Sequence, residues 1–518
     1  MLQQLKKTTA WRGITRRQWL KASGMGLGGL ALGRFVVGCS GDTTAKAEQV
    51  CPDNACEYPN GIPTAEYGYA TDLINSGAIY TPDMQKDLDP DEMRITFLGS
   101  AFPPTRRAQE MMSIFVEVGP WVENEGGGIG HATDSFVFDI GPGSITNYNA
   151  LGISASRMNK VFVSHLHGDH MGDLPSLYCF GPSTDRKFPL YVFSHSPSEV
   201  PNPTAPPEYY DDGVTAFCEH FREAMRWHTE SFSFLPTGWA NYPVPSKTDW
   251  GLPHDPIPVG TDAPNDGFAL VPIELPWRKV GGVAYDNPTT GVKITHFPVI
   301  HCRQASIGYK LEWNGLSMIY TSDTRPETNC IAQAKNPDPD TGVPRGVDVF
   351  IHEMILPPDL LTMKNLGLSS PPPPGENPAF DKAVAMTSDV EESSHTPQGA
   401  FAYLLGRIDP KPRLSVLAHF PVADDTVECA LQSVKNHFPR SDYPVLGKDI
   451  VWATDLMVLR VKKSGITQLM GQVSDYTFMP STNIYSPLNP PKYATPTMQL
   501  DQTTLIKPGE NTYCENGY

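Results

Sequence analysis

The chain has 518 residues, of which 40% are hydrophobic, enough for one large or two ordinary soluble domains. Its formal net charge is -17, and residues 1–38 hold seven basic and no acidic side chains, so the remainder stands at -24. Nucleic-acid binding depends on Lys and Arg displacing counterions from phosphates, so this balance predicts that nucleic acid is not a partner.

Residues 1–38 have the pattern of an export signal. Residues 15–21, Thr-Arg-Arg-Gln-Trp-Leu-Lys, resemble a twin-arginine signal, and residues 24–37 form an apolar stretch too short for a membrane span. Two processing sites compete: a lipoprotein box that would leave a lipid anchor at Cys39, and ordinary cleavage after Ala47. We therefore expect export by the twin-arginine route, to the periplasm or as a cell-envelope lipoprotein.

Eight cysteines remain after Cys39, and an even number in an oxidising compartment permits up to four disulfides of open connectivity. Cys51 and Cys56 are close enough in sequence to form a small staple. Residues 39–90 are polar and rich in turn formers, which predicts a linker before a domain over residues 91–465. Residues 466–518 read as a polar C-terminal tail.

Apolar runs of strand length and amphipathic runs of helical period alternate through the predicted domain, which favours a layered α/β fold. The predicted helices cover residues 144–151, 173–178, 216–227 and 397–405. The predicted strands cover residues 93–98, 114–118, 135–140, 160–164, 292–299, 306–312, 316–321, 347–352, 413–419 and 449–461. Stretches rich in Pro at about 180–290 and 367–394 break this rhythm, and we interpret both as loop insertions.

The strongest chemical signal follows the apolar strand that ends near Ser164. There the sequence His-Leu-His-Gly-Asp-His places four metal-ligand side chains within six positions, and Gly168 permits the tight turn that lets them converge. Imidazole and carboxylate groups suit zinc. The residues predicted to bind metal here are His165, His167, Asp169 and His170.

This segment resembles the HxHxDH signature of the metallo-β-lactamase superfamily, and further matches follow in that superfamily's order. They are His301 ahead of Gly308-Tyr309, Asp323 in Ser-Asp-Thr, and His419 at the end of an apolar strand. With His352-Glu353 and His395-Thr396, the set most resembles the tRNA 3′-processing ribonucleases (ribonuclease Z) and the zinc arylsulfatases. The resemblance covers about residues 91–461 and implies an α/β (α+β) fold, an αββα sandwich of two mixed sheets flanked by helices.

The resemblance also implies a dinuclear site that holds two zinc ions, with manganese or iron as alternatives. One metal would bind His165, His167 and His301, and the other would bind Asp169, His170 and His419, with Asp323 between them. Two such cations supply hydroxide near neutral pH. Asp169 would also orient or deprotonate the water. His395 would protonate the leaving group or stabilise developing negative charge, with Glu353 fixing its tautomer.

Three further residues near these motifs have alternative interpretations. His296 is a rival of His301 for the third histidine, but it lies inside a strand and we expect it to point elsewhere. Asp139, in an early Asp-x-Gly, is expected to support the metal loop from behind. His131 lies in a glycine-rich stretch, as an exposed turn residue or as part of the pocket lining.

Only thirteen residues separate Tyr309 from Asp323, which leaves no room for the basic arm that grips tRNA in the resembled ribonucleases. With export and the negative charge, this predicts an exported hydrolase of a small-molecule ester, a phosphodiester or a sulfate ester, with no nucleic-acid partner. One alternative is a lactone or β-lactam hydrolase of the same fold, whose members generally lack the Glu353 and His395 pair. Another is a non-catalytic envelope protein that binds a ligand or stores metal.

Overall fold

The computed structural model describes residues 74–79, 88–105, 109–122, 129–131, 133–232, 266–368, 370–422, 427–438 and 443–471. The predicted export signal, Cys39, the Cys51–Cys56 staple and most of the linker and tail lie outside these residues. Within them, no helix combines the length and apolar content needed to cross a bilayer. Cys179, Cys218, Cys302 and Cys330 are free thiols.

Nine strands form the first sheet. They are β1 (Ile74–Ile79), β2 (Met93–Gly99), β3 (Ser113–Val118), β6 (Asp134–Phe138), β7 (Lys160–Phe162), β8 (Leu190–His195), β9 (Leu270–Leu275), β17 (Met457–Lys462) and β18 (Gly465–Met470). Their order in the sheet is β1-β18-β17-β2-β3-β6-β7-β8-β9. Strands β6 to β9 are parallel, so their carboxyl ends lie at one edge. A separate two-stranded ribbon pairs β4 (Trp121–Val122) with β5 (Ile129–His131).

Seven strands form the second sheet and lie in it in sequence order. They are β10 (Gly282–Asn287), β11 (Val292–Pro298), β12 (Ile307–Trp313), β13 (Leu316–Tyr320), β14 (Val349–Glu353), β15 (Leu414–Ala418) and β16 (Ile450–Trp452). Asn314 and Gly315 join β12 to β13, and their φ angles of 48° and 75° fit the two-residue turn that Asn-Gly favours between antiparallel strands. Strands β13 to β16 are parallel.

The two sheets pack face to face, and helices cover their outer faces. Alternate residues of facing strands, such as Ile95 and Val116 from the first sheet and Leu311 and Val416 from the second, form the core between the sheets. A second core lies behind the second sheet. The described helices are α1 (Ser144–Ala150), α2 (Gly168–Met171), α3 (Leu174–Thr184), α4 (Val214–Phe232), α5 (Thr328–Lys335), α6 (Pro358–Leu366), α7 (Pro378–Ser394), α8 (Gln398–Arg407) and α9 (Val427–Asn436). The predicted αββα fold is confirmed.

The stretch predicted as an insertion at about 180–290 is only partly one. It contains β8 and β9, which extend the first sheet, and α4, which packs against both strands. Their short apolar runs were obscured by the surrounding prolines and aromatic residues. The prediction of a linker up to residue 90 and a tail from residue 466 also needs correction, because β1 and β18 pair in the first sheet.

The prediction of a loop over residues 367–394 is wrong for its second half, which forms α7 and pairs with α6. The four consecutive prolines, Pro371 to Pro374, led to the prediction of a loop over the whole stretch. Asn377 then starts the helix, because its side chain accepts a hydrogen bond from the backbone N–H of Phe380, and Pro378 occupies the first helical position, where no N–H is needed. The cap at Asn377, directly after the proline-rich stretch, therefore sets where α7 begins.

Candidate metal centre

The candidate site lies where the carboxyl ends of strands from both sheets meet. Asp139 follows β6 and His165 follows β7, while His301, Asp323 and His419 follow β11, β13 and β15. Strands β11, β13, β14 and β15 run in the same direction, so residues that follow them lie at one edge. The sandwich thereby brings together residues far apart in sequence, such as Asp169 and His419, which are separated by 250 positions.

His165, His167 and His301 form a three-histidine group. Nδ1 of His167 lies 2.9 Å from Nε2 of His165 and 3.1 Å from Nε2 of His301. Burial lowers the pKa of His165 well below its usual value and that of His301 to about 4, so both imidazoles are neutral at pH 7. Neutral imidazole nitrogens that converge in this way have the geometry and charge of ligands to a divalent cation.

Asp169, His170, Asp323 and His419 form a second, mixed group whose ligand atoms all lie within 4.8 Å of one another. Nε2 of His419 lies 3.3 Å from Oδ2 of Asp169 and 3.4 Å from Oδ2 of Asp323. Oδ2 of Asp323 also lies 3.9 Å from Nε2 of His301, so this carboxylate adjoins both groups. This is the position that the resemblance implies for an aspartate between two metals, and the bridging role of Asp323 stays a prediction.

The mixed group fits a cation on a second ground, which is unsatisfied polar atoms. Nε2 of His170 and Oδ1 of Asp323 lie 3.3 Å apart, are buried, and have no hydrogen-bond partner. Buried polar groups without partners are rare in folded proteins. A cation between them would satisfy both, so the donor set fits a metal, although metal binding itself stays a prediction.

The charges of the mixed group keep its carboxylates ionised. Burial alone would raise the pKa of Asp323, but His419 and His170 outweigh it and hold that pKa well below the usual range. Burial would likewise lower the pKa of His170, yet Asp323, Asp169 and Asp139 together raise it. Ionised carboxylates are the form that binds metal.

Asp139 supports the centre from behind, as the sequence predicts. Its Oδ2 accepts hydrogen bonds from Nδ1 of His170 (2.7 Å), the hydroxyl of Tyr320 (2.6 Å) and the hydroxyl of Ser164 (2.8 Å). Its Oδ1 accepts from the backbone N–H of Ser164 at 2.7 Å. Because Nδ1 of His170 donates to Asp139, Nε2 is left free to face the mixed group.

His395 and Glu353 form a pair at the rim of the centre. Nδ1 of His395 lies 2.9 Å from Oε2 of Glu353, and the other oxygen of that carboxylate accepts from the backbone N–H of Thr324. Burial would lower the pKa of His395, but Glu353 outweighs it and the pKa rises to about 9. His395 therefore carries a proton at neutral pH, and its ring centroid lies 5.0 Å from that of His301.

Sequence reasoning assigned no role to His352, which ties two site loops together. Its Nδ1 lies 2.7 Å from the hydroxyl of Thr321, and its Nε2 lies 3.0 Å from the hydroxyl of Thr396, which donates to the carbonyl of Thr324. Burial lowers its pKa to about 3, so it is neutral and can donate at one nitrogen while accepting at the other. Its position directly before Glu353 is the sequence feature that could have indicated a role at the site.

The rival histidines lie apart from this arrangement. Nε2 of His296 lies 3.0 Å from the carbonyl oxygen of Pro276, and His296 belongs to neither ligand group. The backbone of His131 pairs with Trp121 in the small ribbon, and its side chain lies outside the described part of the chain. Of the two candidates for the third histidine, the structure therefore places His301 at the centre.

Comparison with known proteins finds a family match over part of the chain. Residues 129–270 match the model of the metallo-beta-lactamase superfamily. The chain is 39% identical over 59 residues to ribonuclease Z of Treponema denticola (11% of this chain, 19% of that protein) and 36% identical over 90 residues to human zinc phosphodiesterase ELAC protein 1 (17% and 20%). It spans about a fifth of each of these relatives. Over residues 129–270 the chain is therefore similar to the metallo-beta-lactamase superfamily, and the sandwich of two mixed sheets flanked by helices is the fold expected from that similarity.

Other matches are longer but more distant. Ribonuclease BN of Escherichia coli is 27% identical over 162 residues, which cover 27% of this chain and 50% of that protein. Among solved structures, human tRNase Z, short form, is 17% identical with a TM-score of 0.33 and covers 70% of this chain and 98% of its own. YhfI of Bacillus subtilis is 12% identical with a TM-score of 0.40 and covers 72% and 100%.

These relatives correct one prediction. The curated matches are ribonucleases and zinc phosphodiesterases, so the prediction of a small-molecule ester substrate with nucleic acid excluded is wrong. The prediction relied on the lack of room for a basic arm, on the expected export and on the net charge of the whole chain. Net charge does not determine the local field of a cleft, and bound divalent cations would reverse its sign beside the carboxylates.

Proposed function

We propose that the protein is a metal-dependent phosphodiesterase that cleaves phosphodiester bonds of nucleic acid. The observation that carries the proposal is the adjacency of the three-histidine group and the mixed group, which share Asp323, with His395 beside them. Such a site has room for two cations next to a proton donor. The similarity to ribonucleases and zinc phosphodiesterases supports the choice of a phosphodiester.

We propose that two zinc ions occupy the site, with manganese or iron as alternatives. His165, His167 and His301 would hold one ion, and Asp169, His170 and His419 the other, with Asp323 between them. When bound, the two cations polarise the phosphoryl group and make water nucleophilic near neutral pH. The neutral imidazoles of His165 and His301 and the ionised carboxylate of Asp323 are in the protonation states that binding needs, whereas His170, whose pKa is raised by the neighbouring carboxylates, would release a proton as the ion binds.

The remaining steps belong to side chains of the chain itself. The side chain of Asp169 is 13% exposed, against 3% for Asp323, so it is the carboxylate of the mixed group better placed to accept a proton from water. His395 would donate the proton that the leaving oxygen needs. Glu353 fixes Nδ1 of His395, so the proton on Nε2 is the one available for donation.

Substrate contacts must come from outside the turn between β12 and β13. Asn314 and Gly315 form that whole connection, so no arm emerges between Tyr309 and Asp323. We propose that the cations themselves bind the phosphate and that the strand is held mainly near the scissile bond. Twin-arginine export stays a further proposal, supported by residues 15–21.

The test is metal analysis joined to hydrolysis assays. We expect cleavage of an RNA oligonucleotide and of bis-nitrophenyl phosphate to require about two metals per chain and to stop after chelation. His167→Ala and Asp323→Asn should lose metal and turnover together. His395→Ala should keep metal and lose about 10²- to 10⁴-fold in turnover, as expected for a proton donor.

The control is His220→Ala, an exposed histidine of α4, which should leave metal content and turnover unchanged. Turnover of nitrophenyl sulfate or of a chromogenic β-lactam without phosphodiester cleavage would contradict the proposal and favour another hydrolase of the same fold. A folded protein without metal or turnover would favour the non-catalytic binding protein.

A further inference from the structure

Metal-binding histidines usually have their second ring nitrogen held by a hydrogen bond, which sets the tautomer and the ring orientation. Three ligand histidines of this site follow the rule with buried oxygen partners, and Nδ1 of His419 has no hydrogen-bond partner. The three pairs are His165 Nδ1 with Ser164 Oγ at 3.0 Å, His170 Nδ1 with Asp139 Oδ2 at 2.7 Å, and His301 Nδ1 with the Ser394 carbonyl at 3.0 Å. His167 differs from all of these.

The orientation of His167 is defined by its two nitrogens. Nδ1 faces the centre, 2.9 Å from Nε2 of His165 and 3.1 Å from Nε2 of His301. Nε2 lies 3.6 Å from Sγ of Cys302. A cation at Nδ1 needs the lone pair of that nitrogen, so the ring proton must sit on Nε2 and is donated to the sulfur.

We propose that Cys302 is a positioning residue that holds His167 in the tautomer and orientation needed to bind metal. The inference rests on the proposed metal-binding role of His167. Cys302 directly follows the ligand His301, so one loop supplies both a ligand and the partner of another ligand. No motif signal marked this cysteine, because its role depends on His167, 135 positions away.

Chemistry and exposure set this contact apart from the other three. Sulfur is a weak hydrogen-bond acceptor, so it holds the imidazole less firmly than a carboxylate or a carbonyl oxygen does. Cys302 is exposed, whereas Ser164, Asp139 and Ser394 are buried. Among the ligand histidines whose second ring nitrogen has a hydrogen-bond partner, His167 is therefore held least firmly. The affinity of the three-histidine group for its ion should consequently change when Cys302 is substituted.

Cys302 is not itself placed as a ligand. Its sulfur lies beside Nε2, on the outer side of the ring whose Nδ1 faces the other histidines. Within the described residues, none of the groups of converging ligand atoms includes this sulfur. A thiol in this position acts on the metal only through His167.

The experiment compares zinc affinity in Cys302→Val and Cys302→Ser, each as the full chain, by competition with a chromophoric chelator. Valine fills the position of the thiol but accepts no hydrogen bond, and Cys302 is exposed enough to leave room for the additional methyl group. We expect this variant to bind one of the two zinc ions about tenfold more weakly, which is the lower end of the range for loss of a hydrogen-bond partner behind a ligand. Serine restores an acceptor and should bind zinc within about twofold of the unmodified chain. His167→Ala identifies the affected ion, because it should abolish binding of that ion alone.

The cobalt-loaded protein supplies a second measurement. Its d–d spectrum should change in Cys302→Val and not in Cys302→Ser, with no sulfur-to-cobalt charge-transfer band in either variant or in the unmodified chain. Two zinc ions bound equally well by the unmodified chain and by Cys302→Val would overturn this inference alone. A charge-transfer band lost in Cys302→Ser would overturn it by making Cys302 a ligand, and failure of the unmodified chain to bind zinc would overturn the proposed function as well.

Discussion

Three residues of the centre occupy the left-handed region of backbone space that side chains other than glycine rarely adopt. They are Asp139 at φ 54°, Ser322 at φ 55° and His419 at φ 56°, each just beyond a strand end. Backbone strain of this kind persists where surrounding contacts hold it, and it collects at functional sites. Near these turns, Asp323 and His419 lie in the mixed group and Asp139 lies behind it against His170.

At this scale we predict that Asp139→Asn weakens metal binding to the mixed group about 10- to 100-fold and destabilises the fold by about 1–3 kcal/mol. The amide has one acceptor where the carboxylate uses two oxygens, so a buried donor loses its partner. Metal titration and denaturant unfolding measure the two effects. Tyr320→Phe, which removes one donor and keeps the carboxylate, should cost less in both, and equal losses would contradict this role.

Among the elements, α7 contributes most to the site beyond the strands. The carbonyl of Ser394, its last residue, accepts the hydrogen bond from Nδ1 of His301, and His395 follows directly. A helix C-terminus carries partial negative charge, which favours nearby cations. One helix end therefore orients a ligand histidine and places the proton donor.

Glu391, in the last turn of α7, is 1% exposed, and neither of its carboxylate oxygens has a hydrogen-bond partner. Burial raises its pKa to about 9, with His395 opposing the shift and Glu353 and Asp359 adding to it. The folded state therefore keeps the proton of Glu391 up to about pH 9, whereas the unfolded chain loses it near the ordinary pKa of about 4.3. The contribution of this group to stability thus falls as pH rises between those two values.

We predict that Glu391→Gln raises the free energy of unfolding relative to the unmodified chain, and that the gain grows from pH 5 to pH 9. The amide keeps the size of the side chain and removes the ionisation that penalises the folded state. Urea unfolding at several pH values measures the difference. Glu392→Gln, an exposed neighbour, serves as the matched control, and parallel pH profiles for the two variants would contradict the prediction.

For the whole molecule, the centre depends on two sheets that meet at one edge. Asp139 and the first four ligands come from the first sheet, and the other ligands and Glu353 come from the second. Neither sheet alone carries a complete group, since the three-histidine group takes His301 from the second sheet. The site is thus a property of the packed sandwich.

The compartment in which the molecule works is also a property of the whole chain. We predict that the full chain is exported and that Arg16→Lys with Arg17→Lys keeps it in the cytoplasm, because the export machinery reads the arginine pair rather than its charge. Cell fractionation measures this. Cys39→Ala separates the two processing sites, since it should release a lipid-anchored protein from the membrane. Unchanged fractionation of the paired lysine variant would contradict the prediction.

Several features followed from the sequence alone because they depend on short stretches of chain. The strand before His165, the spacing of the four ligand residues after it and the strand that ends before His419 are local patterns, and each was recognisable in isolation. Tertiary structure alone decided three other features: the choice of His301 over His296, the helix over residues 378–394, and the nitrogen that each imidazole turns toward the centre. These features depend on contacts between residues far apart in sequence. His301 and Ser394, for example, are 93 positions apart, and only the packing of the two sheets and α7 brings them within hydrogen-bond distance.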